Sequence, residues 1–110
     1  MPTISQIPPT SQRRSSHRSA DVRRILFVDD DELILRSIER VLKRHALESS
    51  WELGFVNNGE SALHRLDDAA FDVVLADAQM PGMSGTALLR RVQETNPGIV
   101  RILLSGHTGL

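Results

Sequence analysis

Residues 25–32, Ile25-Leu26-Phe27-Val28-Asp29-Asp30-Asp31-Glu32, set four apolar side chains directly before four carboxylates. A continuous apolar run, rather than an alternating one, marks a strand covered on both faces. The acids stand where such a strand ends. Two like charges about 4 Å apart repel by roughly 4 kcal/mol at an effective dielectric near 20. Crowding of this kind requires a cap, a counter-ion or a reaction to offset it.

Outward from this stretch, short apolar runs alternate with helical periodicity. The first strand, 25–28, is followed by a helix over 31–44, with Ile34, Ile38, Val41 and Leu42 at helical spacing. A second strand covers 51–56, and Asn57-Asn58-Gly59 reads as a turn and helix cap. The helix after it reaches about residue 69, with Ala62, Leu63 and Leu66 inward. A third strand, 72–76, is again continuously apolar, and "MPGMSG" (80–85) forms a loop before a helix over 86–94. Asn96-Pro97-Gly98 breaks that helix ahead of a fourth strand at 99–104. Strict alternation of apolar strands and helices implies an α/β fold, a doubly wound parallel sheet with helices on both faces.

The chain has 110 residues, 40% of them hydrophobic and 25% charged, which suits one small globular domain. Its net charge of −1 conceals an asymmetry. Five arginines face one acid in residues 1–24, whereas 8 basic groups face 13 acids in the remainder. Residues 1–22, rich in Ser, Pro and Arg with little to bury, read as a disordered basic tail ahead of a domain over 23–110. The tail lacks aromatic residues to stack on bases, which argues against direct nucleic-acid binding. With no cysteine there is neither a disulfide framework nor a thiolate metal site. No apolar run approaches the roughly 20 residues that span a bilayer, and no secretory signal is evident, so a cytoplasmic protein without a membrane partner is expected.

In doubly wound sheets, ligands bind beyond the carboxyl ends of the strands. Those ends here carry Asp29-Asp30, Asp77 and Ser105. If strands one and three are neighbours, three carboxylates converge on one crevice without a basic partner nearby in sequence. Oxygen-only ligation of this kind suits a hard cation such as Mg2+. Asp77, alone at the tip of its strand, is the candidate nucleophile, because an aspartate can form an acyl phosphate. Ser105 can then hydrogen-bond a phosphoryl oxygen. Asp31 and Glu32 are expected to cap the first helix and favour its dipole, not to do chemistry.

Taken together, "ILFVDDDE", "FDVVLADAQMPGMSG" and "VRILLSGHTG" resemble the receiver domain of two-component response regulators over residues 24–110. The resemblance implies the flavodoxin-like strand order 2-1-3-4-5. It implies a Mg2+-dependent phosphorelay in which a histidine kinase or phosphotransfer protein passes a phosphoryl group to Asp77, a phosphoacceptor and not an enzyme in the ordinary sense. Asp29, Asp30, Asp77 and the backbone carbonyl of Gln79 would hold the metal, Ser105 would be the switch hydroxyl, and Pro81 and Gly85 would shape the loop after the acceptor. It also implies a lysine on a fifth strand and a final helix. The one lysine in the chain is Lys43, so the sequence reads as ending before strand 5 and helix 5. An output domain would follow residue 110, and an exposed fourth strand invites pairing with a second copy of the chain.

Two other readings compete. "ILFVDDD" also fits the Asp-x-Asp pattern of haloacid dehalogenase-type phosphohydrolases, with Asp29 as nucleophile and Asp31 as acid–base; that reading leaves Asp77 and its loop without a role. A receiver fold kept solely as a dimerisation module is the third.

Overall fold

The computed structural model describes residues 22–105; the basic tail read from residues 1–22 lies outside them except for Val22. Strand β1 (Arg23–Val28) leads through the acidic turn into α1 (Glu32–Ser49), followed by β2 (Trp51–Val56) and α2 (Gly59–Asp68). Then come β3 (Val73–Asp77), α3 (Gly85–Thr95) and β4 (Val100–Leu104). All pairings are parallel, in the order β2-β1-β3-β4. This is the expected doubly wound sheet for its first four strands; no fifth strand occurs among the described residues.

The pairing register explains why the apolar runs are continuous. Leu26 and Val28 of β1, with Val74 and Ala76 of β3, face α2 and α3 and join Ala62, Leu66, Leu88, Leu89 and Val92 in one core. Phe27 points to the opposite face and stacks on Phe55, ring centroids 5.3 Å apart. At about 25 cal/mol per Å2 of apolar surface, burying each such leucine or valine contributes about 1.5–3 kcal/mol relative to exposure.

Helix α1 departs from its expected form in two respects. It extends five residues past 44, to Ser49, because Ala46 in the added turn is itself buried and stays with the helix. The face it buries is also rotated. Leu35 is 4% exposed, whereas Ile34 and Val41, expected inward, are 43% and 70% exposed. The helix packs on β2, and adjacent positions on a helix point about 100° apart. Covering that edge turns Leu35 and Ala46 to the sheet and leaves the Ile34–Val41 stripe uncovered. Strand β4 is exposed as well, through Val100, Ile102, Leu103 and Leu104.

The caps follow from local chemistry. Asp31 Oδ1 accepts from the backbone N–H groups of Leu33 and Ile34 at 2.9 and 3.4 Å, and Asn58 Oδ1 accepts from that of Ser61 at 2.7 Å. These bonds satisfy donors that have no partner inside the helix. Helix α1 ends at Ser50 with φ +58° and ψ 41°, a left-handed conformation that crowds Cβ against the backbone. Ser50→Gly is expected to stabilise the domain by about 1 kcal/mol, raising its melting temperature by about 4–8 °C in a domain of this size. An unchanged or lower melting temperature would show that the serine side chain contributes more than its backbone costs.

Candidate metal and phosphoacceptor site

Two neighbouring strand ends deliver the three carboxylates. Strand β1 ends at Val28, so Asp29 and Asp30 occupy the turn before α1, and Asp77 is the last residue of β3. Because β1 and β3 pair directly, with Val28 opposite Ala76, the sheet itself brings the two ends together. One carboxylate oxygen each from Asp29, Asp30 and Asp77 all lie within 4.8 Å of one another. The convergence expected from the sequence is present.

The turn is held rigidly. Asp29 Oδ1 accepts from the N–H of Asp31 at 2.9 Å, and the Asp29 N–H donates to the carbonyl of Val56 at 3.2 Å. Asp29 and Asp77 are half-buried and Asp30 is exposed. Burial pushes the Asp29 carboxyl above its ordinary value of 3.8. The Asp31 N–H opposes that rise, and the charges of Asp77, Asp30 and Asp31 add to it. Among the described residues, the charges that act on Asp29 are those of three aspartates, all negative. Hard oxygen donors, mutual repulsion and partial exposure fit a small divalent cation that keeps some water.

A carboxyl raised in the fold binds protons more readily folded than unfolded, so stability falls as pH rises through its folded value. Asp29→Asn, which preserves the acceptor for the Asp31 N–H, is therefore expected to stabilise the metal-free domain at pH 7. The advantage shrinks as pH falls through the Asp29 transition, which lies above 3.8. Melting curves of both proteins between pH 7 and 4 check this; a constant difference would show that Asp29 carries no unfavourable charge. Added divalent cation reverses the sign, because the carboxylate is the ligating form.

The loop after Asp77 is closed at its base by the Gly85 N–H donating to the Ala78 carbonyl at 3.2 Å. The Ala78 N–H in turn extends the β3–β4 ladder to the Leu104 carbonyl at 2.8 Å. Within the loop, Met80 is buried, Pro81 and Gln79 are exposed, and Ser84 caps α3 by accepting from the Ala87 N–H at 3.1 Å. Gly85 lies directly against the end of β3: a Cβ there would overlap the Asp77 carbonyl oxygen and come within 2.7 Å of its carbon. Ser105 follows β4, one residue beyond Leu104, the register partner of Asp77, and is exposed.

Asp31 and Glu32 stand apart from the cluster. Asp31 Oδ1 is engaged in the α1 cap and Asp31 is not among the three gathered carboxylates, which counts against the acid–base role expected of it in the dehalogenase-type reading. Glu32 accepts a hydrogen bond from Asn57 Nδ2 at 2.8 Å, tying α1 to the β2–α2 turn. That tie had no signal in the sequence, since neither residue belongs to a motif that requires the other. At the opposite end of the sheet, Arg24 and Arg65 lie over the Phe71 ring, 5.2 and 5.7 Å from its centroid. Among the described residues, no helix is long and apolar enough to cross a membrane.

With this geometry established, comparison with known proteins is informative. A family model described as the response regulator receiver domain matches residues 25–110. The DNA-binding transcriptional regulator NtrC of Escherichia coli is 34% identical over 86 residues, covering 78% of this chain but 18% of its own length. The signal receiver domain of an HD domain-containing protein from Pseudomonas fluorescens superposes with a TM-score of 0.72 at 30% identity, over 84% of this chain and 65% of that one. The response regulator protein TrrA of Thermotoga maritima, solved in complex with Mg(2+)-BeF, superposes at 0.69 and 30% identity, over 78% of this chain and 71% of that one. TrrA has also been solved in complex with the histidine kinase ThkA.

Proposed function

The chain belongs to the response regulator receiver family, and from that premise we propose that it accepts a phosphoryl group on Asp77 from a histidine kinase or phosphotransfer protein in a Mg2+-dependent relay. The observation that carries the reading is the gathering of Asp29, Asp30 and Asp77 within 4.8 Å, where, among the described residues, the charges acting on Asp29 are all negative. Asp29, Asp30, Asp77 and the Gln79 carbonyl would hold the cation. When bound, magnesium would neutralise the acids and let an anionic phosphoryl group approach.

A carboxylate oxygen of Asp77 attacks phosphorus, the bond from phosphorus to the donor nitrogen breaks, and the electron pair leaves with the histidine ring. Positioning does most of the work in such a transfer. The β3 ladder and the Gly85–Ala78 bond fix Asp77, while the Asp31 N–H holds Asp29 beside it. Ser105, at the end of the strand paired to Asp77, would donate its hydroxyl to a phosphoryl oxygen and carry the state of the site into the β4 surface. This role is a phosphoacceptor's, exercised in the cytoplasm, with an output domain receiving the change. The TrrA complexes with Mg(2+)-BeF and with a histidine kinase support the choice of cation and donor.

Incubation with acetyl phosphate and Mg2+, followed by mapping of the modified peptide, tests the proposal. Modification at Asp77 is expected. Modification at Asp29 would favour the phosphohydrolase reading, and none at all, with no magnesium uptake by calorimetry, would leave a receiver fold serving as a docking module.

A further inference from the structure

Gly59, the first residue of α2, lies against Met83 of the loop that follows Asp77. A Cβ at position 59 would stand 2.7 Å from Met83 Sδ, 3.0 Å from its Cβ and 3.1 Å from its Cγ. Gly59 is buried and Met83 half-buried, so the two close a contact between segments 24 residues apart. Met83 lies within the loop whose base the Gly85–Ala78 bond closes, three residues beyond the buried Met80. The loop is therefore attached at its base and again at Met83, and the peptide between Ala78 and Met83 includes Gln79. Through Asn58 and Asn57 the same turn connects to Glu32 on α1.

We propose that Gly59 and Met83 act as positioning residues for the acceptor loop: the absence of a side chain at 59 sets how closely the loop docks on α2, and this holds the Gln79 carbonyl at the distance a cation requires. The inference rests on the phosphoacceptor reading for its metal. It rests on the contact alone for the loop. Rotation about the Met83 Cα–Cβ bond moves Sδ and Cγ aside but leaves Cβ, whose place is set by the backbone. A side chain at 59 thus pushes the loop backbone by a few tenths of an ångström, enough to matter for a cation with near-ideal octahedral demands. Helix propensity points the opposite way, since alanine is the better helix former.

The test uses the 110-residue chain and Gly59→Ala, Met83→Gly, which removes the Cβ at 83, and the double variant, with amide hydrogen exchange and magnesium calorimetry. In Gly59→Ala, exchange in residues 78–84 is expected to rise about tenfold with α1 and the sheet unchanged, and the Mg2+ dissociation constant to rise about fivefold; the double variant, compared with Met83→Gly, recovers most of both, because the Cβ that transmits the push is gone. Unchanged loop exchange, exchange raised evenly across the sheet, or no recovery in the double variant each overturns the proposal. Absence of magnesium uptake by the unsubstituted chain overturns the phosphoacceptor reading instead, and the loop exchange still decides the contact.

Discussion

Asp77→Asn is expected to abolish labelling by acetyl phosphate and weaken Mg2+ binding at least tenfold, about 1.4 kcal/mol, while raising the melting temperature of the metal-free domain. The two signs have one origin. The acids lie within 4.8 Å of one another, and at that limit a pair of charges repels by roughly 1 kcal/mol in bulk water and about 3–4 kcal/mol at an effective dielectric of 20. Exposure of Asp30 places its share toward the lower figure, and the half-buried pair of Asp29 and Asp77 toward the higher. Asparagine removes that repulsion, and with it both the nucleophilic oxygen and a third of the charge available to the cation. A residue retained for packing would lose stability on substitution; one retained for chemistry gains it. Labelling that survives in Asp77→Asn, or a lower melting temperature, would contradict the assignment.

The second large effect belongs to Gly85. Its Cα faces the Asp77 carbonyl so closely that an added methyl would overlap the oxygen and lie 2.7 Å from the carbon and 3.0 Å from Ala78 Cα. All three atoms are backbone, so no rotamer change relieves them. Overpacking a site that can adjust costs about 1–3 kcal/mol, and one bounded by main chain belongs at or beyond the top of that range. Gly85→Ala is expected to cost about 3 kcal/mol or more and lower the melting temperature by about 12 °C or more. Magnesium uptake should fall further than stability alone explains, because the shifted peptide is the one that carries Asp77. Thermal unfolding paired with calorimetry at 10 °C, where the variant remains folded, separates the two losses. A melting temperature within 2–3 °C of the unsubstituted chain would show that the end of β3 has slack.

The uncovered surfaces have a common origin in the sheet order. With α1 over β2, the Ile34–Val41 stripe stays exposed, and so do Val100, Ile102, Leu103 and Leu104 of β4, although β3 and α3 contact that strand. Such an apolar edge is a pairing hazard.

Much of this architecture was legible in the amino-acid order. Apolar runs alternating with helical periodicity marked four parallel strands, Asn58 and Asp31 announced the helix starts they cap, and Asp29, Asp30 and Asp77 could be placed at strand ends that face one crevice. Each of these depends on a residue and its near neighbours, where periodicity and capping chemistry act. The tertiary structure alone decided which side of α1 is buried, since an apolar stripe as broad as 34, 35, 38, 41, 42 and 46 can roll by one position without a local penalty. It alone tied Glu32 to Asn57. And it alone brought Gly59 to Met83 and Gly85 to Asp77, because the room left beside a glycine is a property of chain segments that meet only once the sheet has set their distance.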